Sequence, residues 1–216
     1  LLDTGRDKLP EVMAAMSSIT NTLDATDKAI NVVRKRLESR PDYQPYLELL
    51  SWLYNERGDD EGVLEAAKIL DKQRHTNGTA VYSVADRALR EGRYPLAIKA
   101  LDFFQATYPV SNPLSSLVML TYARALEANF RSLGRPTRNE CEELATRYEK
   151  IITQDRGTPL AAEAIVQLAR LRADDLDETD KGIELLVALR RDYPKSQAER
   201  EGSLLLGDLY LRQGDT

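Results

Sequence analysis

This sequence predicts an all-α fold, a solenoid of antiparallel helix pairs running to about five and a half repeats, and three observations lead there. First, stretches of the chain align on one another at a shift of 34 residues: Ala29, Val63 and Ala97; Met16, Leu50 and Val84; Pro41, His75 and Pro109; Gly58 and Gly92. A period of that size marks stacked supersecondary units rather than one closed core. Second, apolar residues recur three and four apart, as in Leu47, Leu50 and Tyr54 or Val81, Val84 and Ala88, which is helical spacing. Third, glycines and prolines fall where the helices of each unit should end, and no segment calls for a strand.

Taken in order, the repeats run over 10–43, 44–77, 78–111, 112–157 and 158–197, with a half repeat at 198–216. Each reads as helix A, a turn, helix B and a second turn. Met13, Met16 and Ser17, then Ala29 and Val33, mark the first repeat. Gly58 and Gly92 end helix A of the second and third, where a left-handed residue is wanted. Pro41, Pro109 and Pro194 stop helix B. In the fourth repeat, helix A covers roughly 114–128, and a helix B with Leu144, Tyr148 and Ile151 is delayed by Asn129 to Pro136. That insert should lengthen helix A or protrude, with Phe130 and Leu133 packing back near Leu144 or Tyr148. The fifth pairs Ala164, Leu168 and Ala169 with Ile183, Leu186 and Leu189. Thr137 with Glu140 and Ser196 with Glu199 fit the capping box, and Thr158-Pro159 and Asn112-Pro113 put Pro at the first helical position. Ala85, Ala97, Ala169 and Gly207 are the small residues expected where helices approach closely.

Composition narrows the function classes. A net charge of −5 and a pI near 5.2 argue against a general nucleic-acid binder, which needs clustered positive surface. The one compact basic run, Arg34-Lys35-Arg36, reads as a solvated helix face. A single cysteine, Cys141, excludes a disulfide framework and a Cys-rich zinc site. No apolar run approaches the roughly 20 residues that span a bilayer. Leu1 to Gly5 has no signal-peptide character. The missing initiator Met and an end inside a repeat lead us to expect a piece of a longer polypeptide, folded as a single solenoid domain over 1–216.

The pattern resembles the tetratricopeptide repeat (TPR). Gly92-Arg93-Tyr94-Pro95-Leu96-Ala97-Ile98 with Leu101, Phe104 and Pro109 is the fullest match, and Leu206-Gly207-Asp208-Leu209-Tyr210 with Gly214-Asp215 matches the first helix of the motif. In the second repeat Leu47, Leu50, Ser51, Tyr54 and Gly58 follow it, with Asp60 where an aromatic is usual. The resemblance implies a right-handed superhelix of about eleven helices with helix A on the concave side. Two junctions, Tyr108-Pro109-Val110-Ser111 and Tyr193-Pro194-Lys195-Ser196, are similar to repeats in bacterial envelope proteins. That likeness tilts the expected location toward the periplasm or cell envelope over the cytoplasm.

The family's groove positions, carried over residue by residue, give Glu48, Trp52, Asn55 and Glu56 in the second repeat and Tyr82, Asp86, Leu89 and Arg90 in the third. The fourth gives Met119, Ala123 and Glu127, the fifth Glu163, Arg170 and Asp174, and the sixth Glu201, Asp208 and Arg212. Trp52, the sole tryptophan, is read either as a groove anchor beside Tyr82 or as packing against a neighbouring helix. The lysines and asparagines by which some family members hold a C-terminal carboxylate are replaced by Ala14, Ser18, Glu48, Trp52 and Tyr82, so that clamp is not expected. Catalysis is not expected either. His75, the lone histidine, faces a helix C-terminus. The acidic run Asp174, Asp175, Asp177, Glu178 and Asp180 reads as caps for the next helix rather than a calcium site. Cys141 reads as a small packing residue rather than an activated thiol. The function these readings imply is a non-enzymatic protein–protein interaction scaffold that needs no cofactor and binds a peptide or protein partner in the concave groove. The alternative is a helical accessory domain of a larger bacterial envelope enzyme or of an assembly or secretion complex. A further expectation is self-association through Leu205, Leu206, Leu209 and Tyr210 at the C-terminal end.

Overall fold

The computed structural model describes residues 8–20 and 22–214; Leu1 to Gly5 and Asp215, both used in the sequence reading, lie outside them. Among the described residues the chain is all-helical, with eleven helices and no strand. They are α1 (Leu9–Ser17), α2 (Leu23–Ser39), α3 (Gln44–Arg57), α4 (Asp60–Arg74), α5 (Thr79–Arg90), α6 (Tyr94–Thr107), α7 (Ser115–Leu133), α8 (Arg138–Gln154), α9 (Pro159–Asp174), α10 (Thr179–Asp192) and α11 (Gln197–Gln213). No helix is long and apolar enough to cross a membrane. The chain forms two compact units, Leu1–Asn112 and Pro113–Thr216.

In the first unit, α2 to α5 each pack on the next helix in sequence, and α1 packs on α3. Gly58 (φ 72°) caps α3 in the left-handed region and Gly92 (φ 75°) follows α5 in the same conformation, so both A-to-B turns close in a few residues and leave the pairs antiparallel. Fully buried Leu53, Val63, Ala85, Ala97 and Leu101 fill the space between them. Arg93, before α6, donates to Asp60 at the start of α4 and to Asn55 of α3, so one guanidinium joins three helices.

In the second unit, α7 to α11 pack in sequence order, and α9 also touches α7 and α11. Cys141, Leu144, Tyr148 and Ile151 of α8 bury against Leu120 and Ala123 of α7 and Ala164 and Leu168 of α9. The insert lengthens α7 by continuing the helix through Leu133. Phe130 packs on the cluster with Leu144 and Tyr148, but Leu133 is 81% exposed, because it lies in the last turn beyond the reach of α8.

Helix ends follow the sequence in part. Thr137 and Glu140 form a complete capping box, and Thr158 caps α9 with Pro159 at its start. Ser196 accepts from the Glu199 amide, yet the Glu199 carboxylate accepts from Ser203 instead of returning to the cap. Asn112-Pro113 does not open α7. Asn112 is buried with its Nδ2 donating to the Asn77 carbonyl (2.9 Å), and the helix starts at Ser115.

The expected exposed stripe on α11 is corrected in part: Tyr210 is exposed, and the three leucines are not. Leu205, Leu206 and Leu209 are buried against α9 and α10, and Leu204 and Leu211 are the exposed leucines. A helical turn of about 100° per residue puts 204 and 211 on the face opposite 206 and 209. Gly207 likewise has open space around it. The close approach to backbone in this unit is at Gly182 of α10, where a Cβ would lie 2.9 Å from the Ala169 carbonyl oxygen, and at Gly202 of α11 a Cβ would meet the Leu189 side chain at 2.6 Å.

Gly182→Ala is therefore expected to destabilise the protein by about 1–3 kcal/mol through overpacking against backbone. Gly207→Ala is expected to stabilise it by about 0.5–1 kcal/mol through helix propensity alone. Urea denaturation of the two variants beside the parent checks both signs.

Candidate functional site

Helix α4 packs on both α3 and α5 and spaces them apart. A cleft of about 330 Å³ opens between those two helices. Its floor is α4, where Ala66, Ala67 and Leu70 are short enough to leave room; Arg74 closes one end. Ser51 of α3 forms one wall. Thr76, Thr79, Ser83 and Arg87, from the α4–α5 loop and α5, form the other. Four hydroxyl-bearing residues and two arginines thus line a space that no described carboxylate lines.

One buried carboxylate holds that second wall. Asp71, in the last turn of α4, is 2% exposed. It accepts from the amides of Gly78 (3.0 Å) and Ala80 (3.1 Å) and from the hydroxyls of Thr76 and Tyr108. Burial pushes its carboxyl up, and the donors of Thr76, Tyr108, Gly78 and Ala80 more than reverse this, leaving it below the usual carboxylate range. Burial, then the bond to Asp71 and its charge, push the Tyr108 hydroxyl up to about 12. The loop bends around this acceptor with His75 and Asn77 both at positive φ (52° and 53°), residue types that tolerate the left-handed region. His75 is the αL cap of α4, in keeping with its structural reading.

None of the expected groove residues lines this cleft. Glu48 is half-buried and ion-paired with Arg74, so it reaches the cleft through that side chain. Trp52 is half-buried and follows Ser51, on the same helical face as Glu48. Asn55 accepts from Arg93, which commits it to the fold, and Glu56 is exposed. Tyr82 and Asp86 are half-buried and precede Ser83 and Arg87; Asp86 is paired with the exposed Arg90. Ser51, Ser83 and Arg87, which do line it, each sit one position, about 100° around the helix, from Trp52, Tyr82 and Asp86. The adjacent Ala66 and Ala67 in helix B were the visible signal of a gap.

Arg170, in the second unit, is exposed on α9. That unit has a cleft lined by Ile152, Leu168, Arg172 and Lys181, whose cations are paired: Arg172 with Glu149 and Glu178, and Lys181 with Glu178, while Glu184 on its rim is exposed. Four of the five residues of the acidic run are spent the same way. Asp174 pairs with Arg212, Asp175 with Arg131, and Asp180 accepts from Gln213, so Glu178 precedes α10 without capping it. Arginines of the packed helices outcompete the backbone for these carboxylates. No metal-ligating cluster occurs among the described residues. Cys141 is fully buried, and burial followed by the charge of Asp175 raises its pKa, the opposite of an activated thiol.

A larger hollow of about 800 Å³ lies over α4 and α6, with Ile69, Phe103 and Tyr108 in its wall. Of its charged groups, Lys68 pairs with Glu65 and sits 4.6 Å over the Phe103 ring, Asp71 is held as described, and Lys72 is exposed on the rim. Compared with protein-family models and with curated proteins, the chain matches none.

Asp71→Ala would leave four donors without their acceptor. It is expected to lower stability by about 3 kcal/mol or more in urea denaturation. Because the folded pKa is depressed, the contribution of Asp71 is complete above the unfolded value of about 4 and fades as the pH falls through the folded one. The variant should therefore lose less stability than the parent on acidification below about pH 4.

Proposed function

We propose that the chain is a non-enzymatic protein–protein interaction scaffold, built of tetratricopeptide-like repeats stacked as a right-handed superhelix, that binds a segment of a protein partner along α3 and α5. The observation that carries this reading is the α3–α5 cleft, open to solvent, floored by alanines and edged by hydroxyls and guanidinium groups. An extended segment suits such a space, since its side chains enter a gap between helices while Trp52 and Tyr82 flank it with broad aromatic surface. The 34-residue offset, the paired left-handed glycines at Gly58 and Gly92, and the Ala85 and Ala97 contacts support the repeat reading. The chemistry of the cleft supports binding rather than turnover, because it pairs no base with a nucleophile.

Selection of dodecapeptides from a random phage library against the protein tests this. Peptides so recovered are expected to bind about tenfold or more weakly to Trp52→Ala and Tyr82→Ala, the loss typical of aromatic anchors, and as well as before to Val187→Ala on α10. Recovered peptides that bind both aromatic variants with parental affinity would put the binding surface elsewhere.

A further inference from the structure

Resting on the groove reading, we infer that the α3–α5 cleft selects an aspartate or glutamate side chain of the partner segment, with Arg87 as the residue that receives it. Five other arginines of the first unit are spoken for. Arg34 donates to Tyr54, Arg57 to Asp27, Arg74 to Glu48, Arg90 to Asp86 and Arg93 to Asp60. Arg87 is half-buried, lines the cleft, and has no hydrogen-bond or ion-pair partner among the described residues. A partly desolvated guanidinium without a counter-ion is a standing cost, which an incoming anion removes.

The surroundings reinforce the sign. The protein carries a net charge of −5, yet no described aspartate or glutamate lines this cleft. Glu48 neutralises Arg74, and Asp71 is turned inward on the Thr76 hydroxyl and the Gly78 and Ala80 amides, so Arg87 is the cation left over. At the end of the cleft, the Nε of Arg74 is buried without a partner. Ser51 and Thr79 add hydroxyls at the cleft edge, and the Ser83 hydroxyl is engaged with the Thr79 carbonyl.

One free planar fork matches a carboxylate bidentately with charge balance. A phosphoryl group brings close to two negative charges and calls for more than one free cation, which the cleft does not hold. The alanine floor and a volume near 330 Å³ suit one acidic side chain entering from an extended chain.

The same dodecapeptide library, selected separately against the parent, Arg87→Gln and Arg87→Lys, tests the inference. Against the parent, recovered peptides are expected to share an acidic residue, and changing it to its amide should weaken binding about tenfold or more. Against Arg87→Gln that preference should vanish, and Arg87→Lys should retain it in weakened form, since charge persists without the fork. Circular dichroism melting of each variant confirms that it is folded. Peptides that bind and depend on Trp52 but show no acidic preference, or an acidic preference untouched by Arg87→Gln, overturn the inference and leave the scaffold reading standing. A library that yields no binder overturns both.

Discussion

A carboxylate buried at the wrong end of a helix organises the first half of this molecule. Acidic groups are unfavourable near a helix C-terminus, and a buried charge is costly unless its hydrogen bonds are complete. Asp71 escapes both penalties by gathering two backbone amides and two hydroxyls, from Thr76, Gly78, Ala80 and Tyr108. Those four donors belong to the loop after α4, the first turn of α5 and the end of α6. The single acceptor thereby fixes where α5 starts relative to α4, and with it the wall of the cleft that carries Thr76, Thr79 and Ser83.

The second unit solves the same junction with different atoms. Tyr193, the counterpart of Tyr108 in its aromatic-proline step, accepts a hydrogen bond from the Gly157 amide at 2.9 Å in the turn before α9. In both places a tyrosine at the end of a B helix reaches back about one repeat to hold the preceding turn. Arginines then set helix spacing: Arg93 across α3, α4 and α6, Arg131 between Glu127 and Asp175, and Arg172 between Glu149 and Glu178. Partly exposed pairs of this kind add little stability singly, and their value is geometric. Tyr148 is held similarly, fully buried with its hydroxyl on Glu127 at 2.9 Å; burial, then the charge of Glu127, raises its pKa strongly.

Local signals carried most of the fold. Glycines at 58 and 92, prolines after α2, α6 and α10, and threonines at 137 and 158 each act through the backbone beside them, so a single sequence displays them. Signals that depend on a distant partner did not read out. Asn112 looked like a cap because the Asn77 carbonyl that holds it is 35 residues away. Glu178 looked like a cap because Arg172 and Lys181 were not known to be within reach. Leu205, Leu206 and Leu209 looked exposed because the rotation of α11 is set by α9 and α10. The site was least legible of all. An arginine's importance at position 87 comes from the absence of a counter-ion around it, and that is a property of assembled helices.

Native-state hydrogen exchange at the Gly78 and Ala80 amides tests the central role of Asp71 most directly. Both amides donate to a buried carboxylate, so they should exchange only as slowly as the interior amides of α4 and α5, opening with the first unit as a whole. Exchange of these two amides at the rate of an exposed loop, while α4 and α5 stay protected, would contradict the account.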